Sequence, residues 1–328
     1  MPQRERELAR LLDEHRMAQA RISATVSAQA LAQWSRVSPT SLTSSSGAWL
    51  ALMLSVIRRE RAQSQAVAVS FYRLHRALET GYTLPPLTGD ATAGAVTLGV
   101  LREDWAQHTD TAHVPAADGA VAVQVDDFDW PTPDTSAQDA AARTSLAVTG
   151  PVRAQRAIDQ ATERQERGRL DAADFLDELE SVMDQAGTTA AASADRETLR
   201  GGRELIRDAS QADTRVIGWA RVTDDDPCAF CAMLASRGAV YRSRQIAGIR
   251  GRTRRNLRDV ENPEDLQKYH DLCHCQTIPV YSETAFVPES SAQYEQDWRR
   301  VTRGLAGAEA RRVWRQYIDT QRRGRRSS

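Results

Sequence analysis

All four cysteines of this chain fall between positions 228 and 275, and their spacing constrains the fold more than any other feature. Cys228-Ala229-Phe230-Cys231 is a C-x-x-C turn, a spacing that lets two thiolates converge on one ion. Downstream, His270, Cys273, His274 and Cys275 offer a second set of soft ligands. Two ligand pairs separated by a polar, arginine-rich excursion form the pattern of a structural zinc site, in which the ion closes a loop too polar to bury itself. Two ligands are expected from each end. Cys273 and Cys275 are one residue apart and chelate together only through a strained turn, and His270, one helical turn before Cys273, can replace either. The favoured set is Cys228, Cys231, His270 and Cys275, with Cys273 as the close alternative and His274 pointing away. An even number of cysteines also permits two disulfides, but the clustering and the absence of a secretion leader favour metal. A redox dithiol at Cys228 and Cys231 is a third reading. The context it needs, a strand before and a long helix after, is only half present.

Net charge is −1 over 328 residues, so global charge points to no partner. The basic residues are almost all arginine, Lys268 being the only lysine. No run approaches the roughly 18 apolar residues of a membrane span, and the charged start Met1–Arg6 has no apolar stretch behind it. The expectation is a soluble protein, made in a reducing compartment, with no membrane partner.

The rest of the chain reads as mainly α with a small α+β module near the carboxyl end. Residues 1–100 form a helical hairpin. One helix over 4–35 carries Leu8, Leu11, Leu12, His15, Ala18, Ile22 and Val26 at helical spacing, and a second runs over about 48–79. The serine-rich run Ser41–Ser46 between them reads as a hinge or cap. Residues 101–137 read as an acidic arm or linker, because Glu103 to Asp139 holds nine acids and no lysine or arginine. Asp126, Asp127 and Asp129 lack the glycine and terminal glutamate of a calcium loop. Residues 138–212 form a central helical region with helices at 138–149, 151–167, 170–186 and 194–210. Residues 213–285 hold the Cys/His module, with strands near 216–223, 239–241 and 276–281 around a short helix at 228–236. Residues 286–328 form basic helices and a tail.

Arginine is dense in two places. The excursion between the cysteine pairs carries Arg250, Arg252, Arg254 and Arg255, and the tail carries Arg322, Arg323, Arg325 and Arg326. Such density suits phosphate contact, which is insensitive to base sequence and sensitive to salt. A solvated charged surface, or pairing with the acidic arm, accounts for the same residues.

The pieces Val222-Thr223-Asp224, Pro227 to Gly238, Tyr269-His270-Asp271, Cys273-His274-Cys275 and Pro279 resemble the phage Mu F-like minor head proteins, in the branch found in phages of actinobacteria. The family pattern of C-x-x-C, loop and H-x-x-C-x-C falls on Cys228, Cys231, His270, Cys273 and Cys275. The strong likeness is confined to this region. It implies a non-enzymatic head-morphogenesis protein of the virion, at the portal vertex or capsid interior and in the host cytoplasm during assembly. The implied partners are the portal protein, capsid proteins and packaged double-stranded DNA. Relatives labelled capsid maturation proteases raise the alternative of a zinc-dependent hydrolase, nuclease or protease, with His270 or His274 as base and Glu283 as the candidate glutamate close by in sequence. No G-x-S-x-G motif supports it, and no serine–histidine–acid set stands out in the sequence.

Overall fold

The computed structural model describes residues 3–87, 94–111, 116–224, 226–241, 269, 273–283 and 288–327. Two long helices open the chain, α1 (Gln3–Trp34) and α2 (Leu42–Thr80), joined by a 3₁₀ turn at Pro39–Ser41. Of the serines read as a hinge or cap, Ser41 stands at the N-cap position of α2 and Ser44 to Ser46 enter its first turns. The Ser44 and Ser45 hydroxyls donate to the Ser41 carbonyl at 3.0 and 2.9 Å, so their local bonding is absorbed into the first turn. Gly81 ends α2 with φ +75°, a left-handed residue whose N–H returns to the Ala77 carbonyl.

A three-stranded sheet follows, ordered β1 (Tyr82–Thr83), β3 (Ala122–Val125), β2 (Ala95–Thr97), with α3 (Leu98–Thr109) between β2 and β3. The acidic stretch is therefore no free arm. Asp104 accepts from Ser70 and Arg73, Asp126 from Arg76 and Arg215, and Asp139 from Arg58 and Arg61. Asp118 accepts from Arg102, and Asp134 caps the next helix at the Ala137 N–H. Phe128 and Trp130 pack on the main core, and the Trp130 indole donates to the Pro85 carbonyl at 2.9 Å. Several acids that look solvated in sequence are held by arginines, those of α2 holding Asp104, Asp126 and Asp139.

Helices α4 (Thr135–Ala147) and α5 (Arg153–Glu166) are joined by a π-helical turn at Val148–Val152. The turn absorbs Pro151, which has no N–H to give and would crowd the carbonyl four residues back in a regular helix. The two helices expected at 170–186 and 194–210 are one 41-residue helix, α6 (Ala172–Ala212), whose N-cap Asp171 accepts from the Ala173 and Asp174 N–H groups. Helices α1, α2 and α6 pack together and enclose two apolar clusters. One gathers Leu12, Ile22, Phe71, Leu74, Leu199 and Ile206, and the other gathers Val26, Trp34, Trp49, Met53, Leu146 and Ala190. With its leading turn, α2 is the one described helix long and apolar enough to cross a membrane, which corrects the expectation that no stretch comes near that size. Twenty of its residues are nonetheless buried in this fold.

The carboxyl-terminal part is built on an antiparallel sheet ordered β5 (Ala239–Tyr241), β4 (Gly218–Val222), β6 (Gln276–Val280). Helix α7 (Ala229–Ala235) lies between β4 and β5, and Gly238 at φ +62° turns the chain from one to the other. Two last helices, α8 (Glu289–Val301) and α9 (Gly307–Ser327), close on α7. The residues Arg322–Arg326 do not form a loose tail but continue α9. Ala220, Ile278 and Val280 enter the same core cluster as α1, α2 and α6, so the sheet is cemented to the helical body.

Candidate metal centre

Strand β4 leads through Pro227 into an extended Cys228, whose sulfur accepts the Cys231 N–H at 3.4 Å and caps the first turn of α7. That turn carries the Cys231 sulfur to the segment just ahead of β6. The sulfurs of Cys231, Cys273 and Cys275 lie within 4.8 Å of one another, and Cys231 to Cys273 is 3.5 Å. All four cysteines are free thiols, and Cys228 packs on the other three, half-buried beside Phe230 and Tyr269. Four thiolates bound at about 2.3 Å around a tetrahedral ion would sit about 3.8 Å apart. The donor set is therefore of the right kind and spacing for one metal ion. Cys273 and Cys275 both lie in the group with Cys231, which brings the close alternative Cys273 together with two members of the favoured set. His270, Arg250, Arg252, Arg254 and Arg255 lie outside the described residues.

Cationic groups surround the sulfurs. Arg221, on β4 and 1% exposed, lies over one side of the Tyr269 ring at 4.2 Å, and Arg203 of α6 lies over the ring at 4.0 Å. Arg203 also donates to the Cys273 carbonyl. Burial works against the Arg221 charge, but Tyr269 and the thiols of Cys231, Cys273 and Cys275 outweigh it and keep the guanidinium protonated. Hydrogen bonds from Cys231 and Cys275, with Arg203 and Arg221 nearby, hold the Cys273 thiol far below its ordinary value. The Cys231 thiol is driven the other way by its bonds to Cys228, Cys273 and Cys275. The buried guanidinium of Arg221 and the half-buried one of Arg203 are the charge complement that a thiolate-rich ion needs.

His274 faces away from the sulfurs. Its Nε2 lies 3.3 Å from the Ser23 hydroxyl of α1, and its Nδ1 lies 4.0 Å from an Asp224 oxygen. Burial raises the Asp224 carboxyl above its ordinary value. Serine, histidine and acid thus do meet, contrary to the sequence reading, across 251 residues of chain. Spacing along the sequence gives no sign of such a meeting. Ser23 is 4% exposed in mid-helix, where neighbouring N–H groups are committed to the helix, and the cavity that His274 lines measures about 20 Å³, room for about one water. Glu283, the candidate glutamate of the hydrolase reading, is exposed whereas Cys231, Cys273 and Cys275 are buried.

The basic carboxyl end is joined to the C-x-x-C turn. Arg322 donates to both Asp226 oxygens at 2.9 and 3.2 Å, and the buried Trp314 indole donates to the Ala229 carbonyl at 2.8 Å. Both contacts fall within two residues of Cys228.

A family profile described as "VG15 protein" matches residues 134–301, which run from the N-terminus of α4 to the end of α8 and include all four cysteines. The chain is 33% identical over 103 residues to the Gene 15 protein of Mycobacterium phage D29, a stretch covering 26% of this chain and 37% of that one. It is 35% identical over 88 residues to the Gene 15 protein of Mycobacterium phage L5, covering 20% of this chain and 30% of that one. The matches thus span about a third of either relative. No solved structure matches the chain. The profile takes in just over half of the residues, the thiol cluster among them, and the chain belongs to the VG15 family of phage proteins.

Proposed function

We propose that this chain is a structural component of a phage head, of the Mu F-like minor head type, with one zinc ion as a folding staple. Its proposed place is the virion, at the portal vertex or capsid interior, and its proposed partners are the portal protein, capsid proteins and packaged double-stranded DNA. The observation that carries a non-catalytic reading is the closure of the thiol site. Cys231, Cys273 and Cys275 are at most 2% exposed and are flanked by guanidinium groups and a phenol. A catalytic zinc keeps an open position for water beside a base, whereas a structural zinc is closed by four protein ligands. Here Cys228, Cys231, Cys273 and Cys275 would hold the ion, with His270 as the alternative fourth donor. When bound, zinc would supply cross-linking of two chain segments and no reacting group.

The hydrolase alternative draws on one observation, the meeting of Ser23, His274 and Asp224. Among the described residues, Ser23 is buried and the cavity beside His274 has room for about one water, so the structural reading is preferred. Elemental analysis of the reduced, purified protein is expected to give one zinc per chain, and mass spectrometry of purified virions is expected to find the chain. Absence of metal would remove the staple, and absence from particles would remove the head role. Cleavage of casein or plasmid DNA that disappears in a Ser23→Ala variant would establish the alternative.

A further inference from the structure

Helix α9 has two faces of different chemistry. Ala310, Trp314 and Ile318 are buried against Ala229 and Ala232 of α7. Beside that stripe, and overlapping it at Ile318, run Arg311, Arg312, Arg315, Arg322, Arg323 and Arg325, which at 3.6 residues per turn fall within an arc of about 160° that also holds Asp319. Over Gly307–Ser327 there are seven arginines against Glu309 and Asp319. Arg311, Arg312 and Arg315 are exposed, and none has a carboxylate in ion-pair reach among the described residues. That sets them apart from the arginines of α2 and α6, which are largely spent on internal acids. Arg311 to Arg323 spans about 18 Å along the helix axis, long enough to meet several backbone phosphates, which recur every 3.4 Å or so per strand of a duplex.

We propose that this outer face of α9 is a ridge that binds the phosphate backbone of double-stranded DNA, and that the Cys228–Cys231 turn holds the ridge in position. Arg311, Arg312 and Arg315 are its principal contacts. The proposal deepens the DNA arm of the head-protein reading by moving the contact from a loose tail to a docked helix. Charge and spacing favour DNA over other partners, since the ridge has no aromatic or apolar residues on its outer side to suit a protein groove or stacked bases. Its pose depends on two anchors at the cysteine turn, the Trp314 indole on the Ala229 carbonyl and Arg322 on Asp226. Disorder in that turn would leave α9 an unanchored basic helix.

The test uses the full chain and a short random-sequence DNA duplex, with binding read by fluorescence anisotropy between about 50 and 200 mM salt. The triple variant Arg311→Gln, Arg312→Gln, Arg315→Gln is expected to lose at least tenfold in affinity. Its log–log salt slope should fall by roughly 2 to 3, since each phosphate contact contributes about 0.9. The charge-matched control Arg153→Gln, Arg156→Gln, Arg169→Gln, exposed positions in and after α5, is expected to change affinity less than twofold. Equal losses in both triples would overturn the ridge, as would no DNA binding at 50 mM salt or tighter competition by polyglutamate than by DNA of equal charge. Trp314→Ala is expected to weaken binding as the ridge variant does while α1, α2 and α6 remain helical. If protease then cuts α9 freely and affinity is unchanged, the docking part is wrong. None of these outcomes depends on whether the protein enters virions, so the head role stands or falls separately.

Discussion

His15 and His75 lie on either side of Phe71, stacked at ring-centroid distances of 4.1 and 5.3 Å, and are 1% and 3% exposed. Burial pushes both down to about 3, with the charge of Arg4 adding to the effect at His75. The unfolded chain therefore binds these two protons at a higher pH than the folded one. The stability that comes from keeping them neutral is complete above about pH 6.5 and is lost as pH falls from there toward 3. Between about pH 7 and pH 5 each should cost the fold on the order of 2 kcal/mol. This window is distinct from that of Asp126, whose carboxyl is lowered by bonds from Arg215 and Arg76 and whose contribution disappears only below its ordinary range. His75 makes no hydrogen bond at Nδ1, so His75→Phe loses no polar contact there. Urea melts at the two pH values are expected to show about half the wild-type pH dependence in that variant. An undiminished dependence would mean that the protons are taken up elsewhere.

At the scale of elements, the sharpest difference from expectation is α6. The gap between the helices expected at 170–186 and 194–210 opens with Gly187, Thr188 and Thr189, which are poor helix formers. Tertiary contact overrides that weak preference. Gly187 faces the Trp34 ring so closely that an added Cβ would lie 2.4 Å from Trp34 Cδ1, and the Trp34 indole donates to the Met183 carbonyl at 2.8 Å. Glycine is there to admit a tryptophan, not to end a helix. Gly187→Ala is accordingly expected to be destabilising by about 1–3 kcal/mol through overpacking, although alanine is the better helix former. A melting midpoint that rises would show that helix propensity outweighs the Trp34 seat. The same reasoning explains what was and was not legible in the sequence. Helix α1 shows in the helical spacing of Leu8, Leu11, Leu12, His15 and Ile22, because that stripe is itself the buried face. The C-x-x-C turn shows because its chemistry is local. The pairing of Asp126 with Arg76 and of His274 with Ser23 joins residues distant in sequence, and no local pattern encodes such partners. The acidic stretch was for that reason read as solvated.

At the scale of the molecule, the thiol cluster lies where two differently supported parts meet. Strands β4 and β6 place Ala220, Ile278 and Val280 in the main helical core. Helices α7, α8 and α9 have a separate small core of Ala229, Ala232, Trp314 and Ile318, with Tyr294 and Trp298 at its edge. The ion would tie α7, through Cys231, to the segment entering β6, through Cys273 and Cys275. Removing it takes away the cross-link but leaves the apolar burial of β4 and β6 in place. Loss of metal is therefore expected to loosen 226–241 and 289–327 rather than the whole carboxyl-terminal third. Hydrogen exchange on wild type with chelator, and on Cys231→Ser, is expected to show faster exchange in α7, β5, α8 and α9. Protection should persist in α1, α2, α6, β4 and β6, because local opening follows the units that share a core. Uniform loss of protection would mean that the two cores act as one cooperative unit. Full protection in both samples would mean that the small core stands without any ion, and that the four sulfurs pack as ordinary buried side chains.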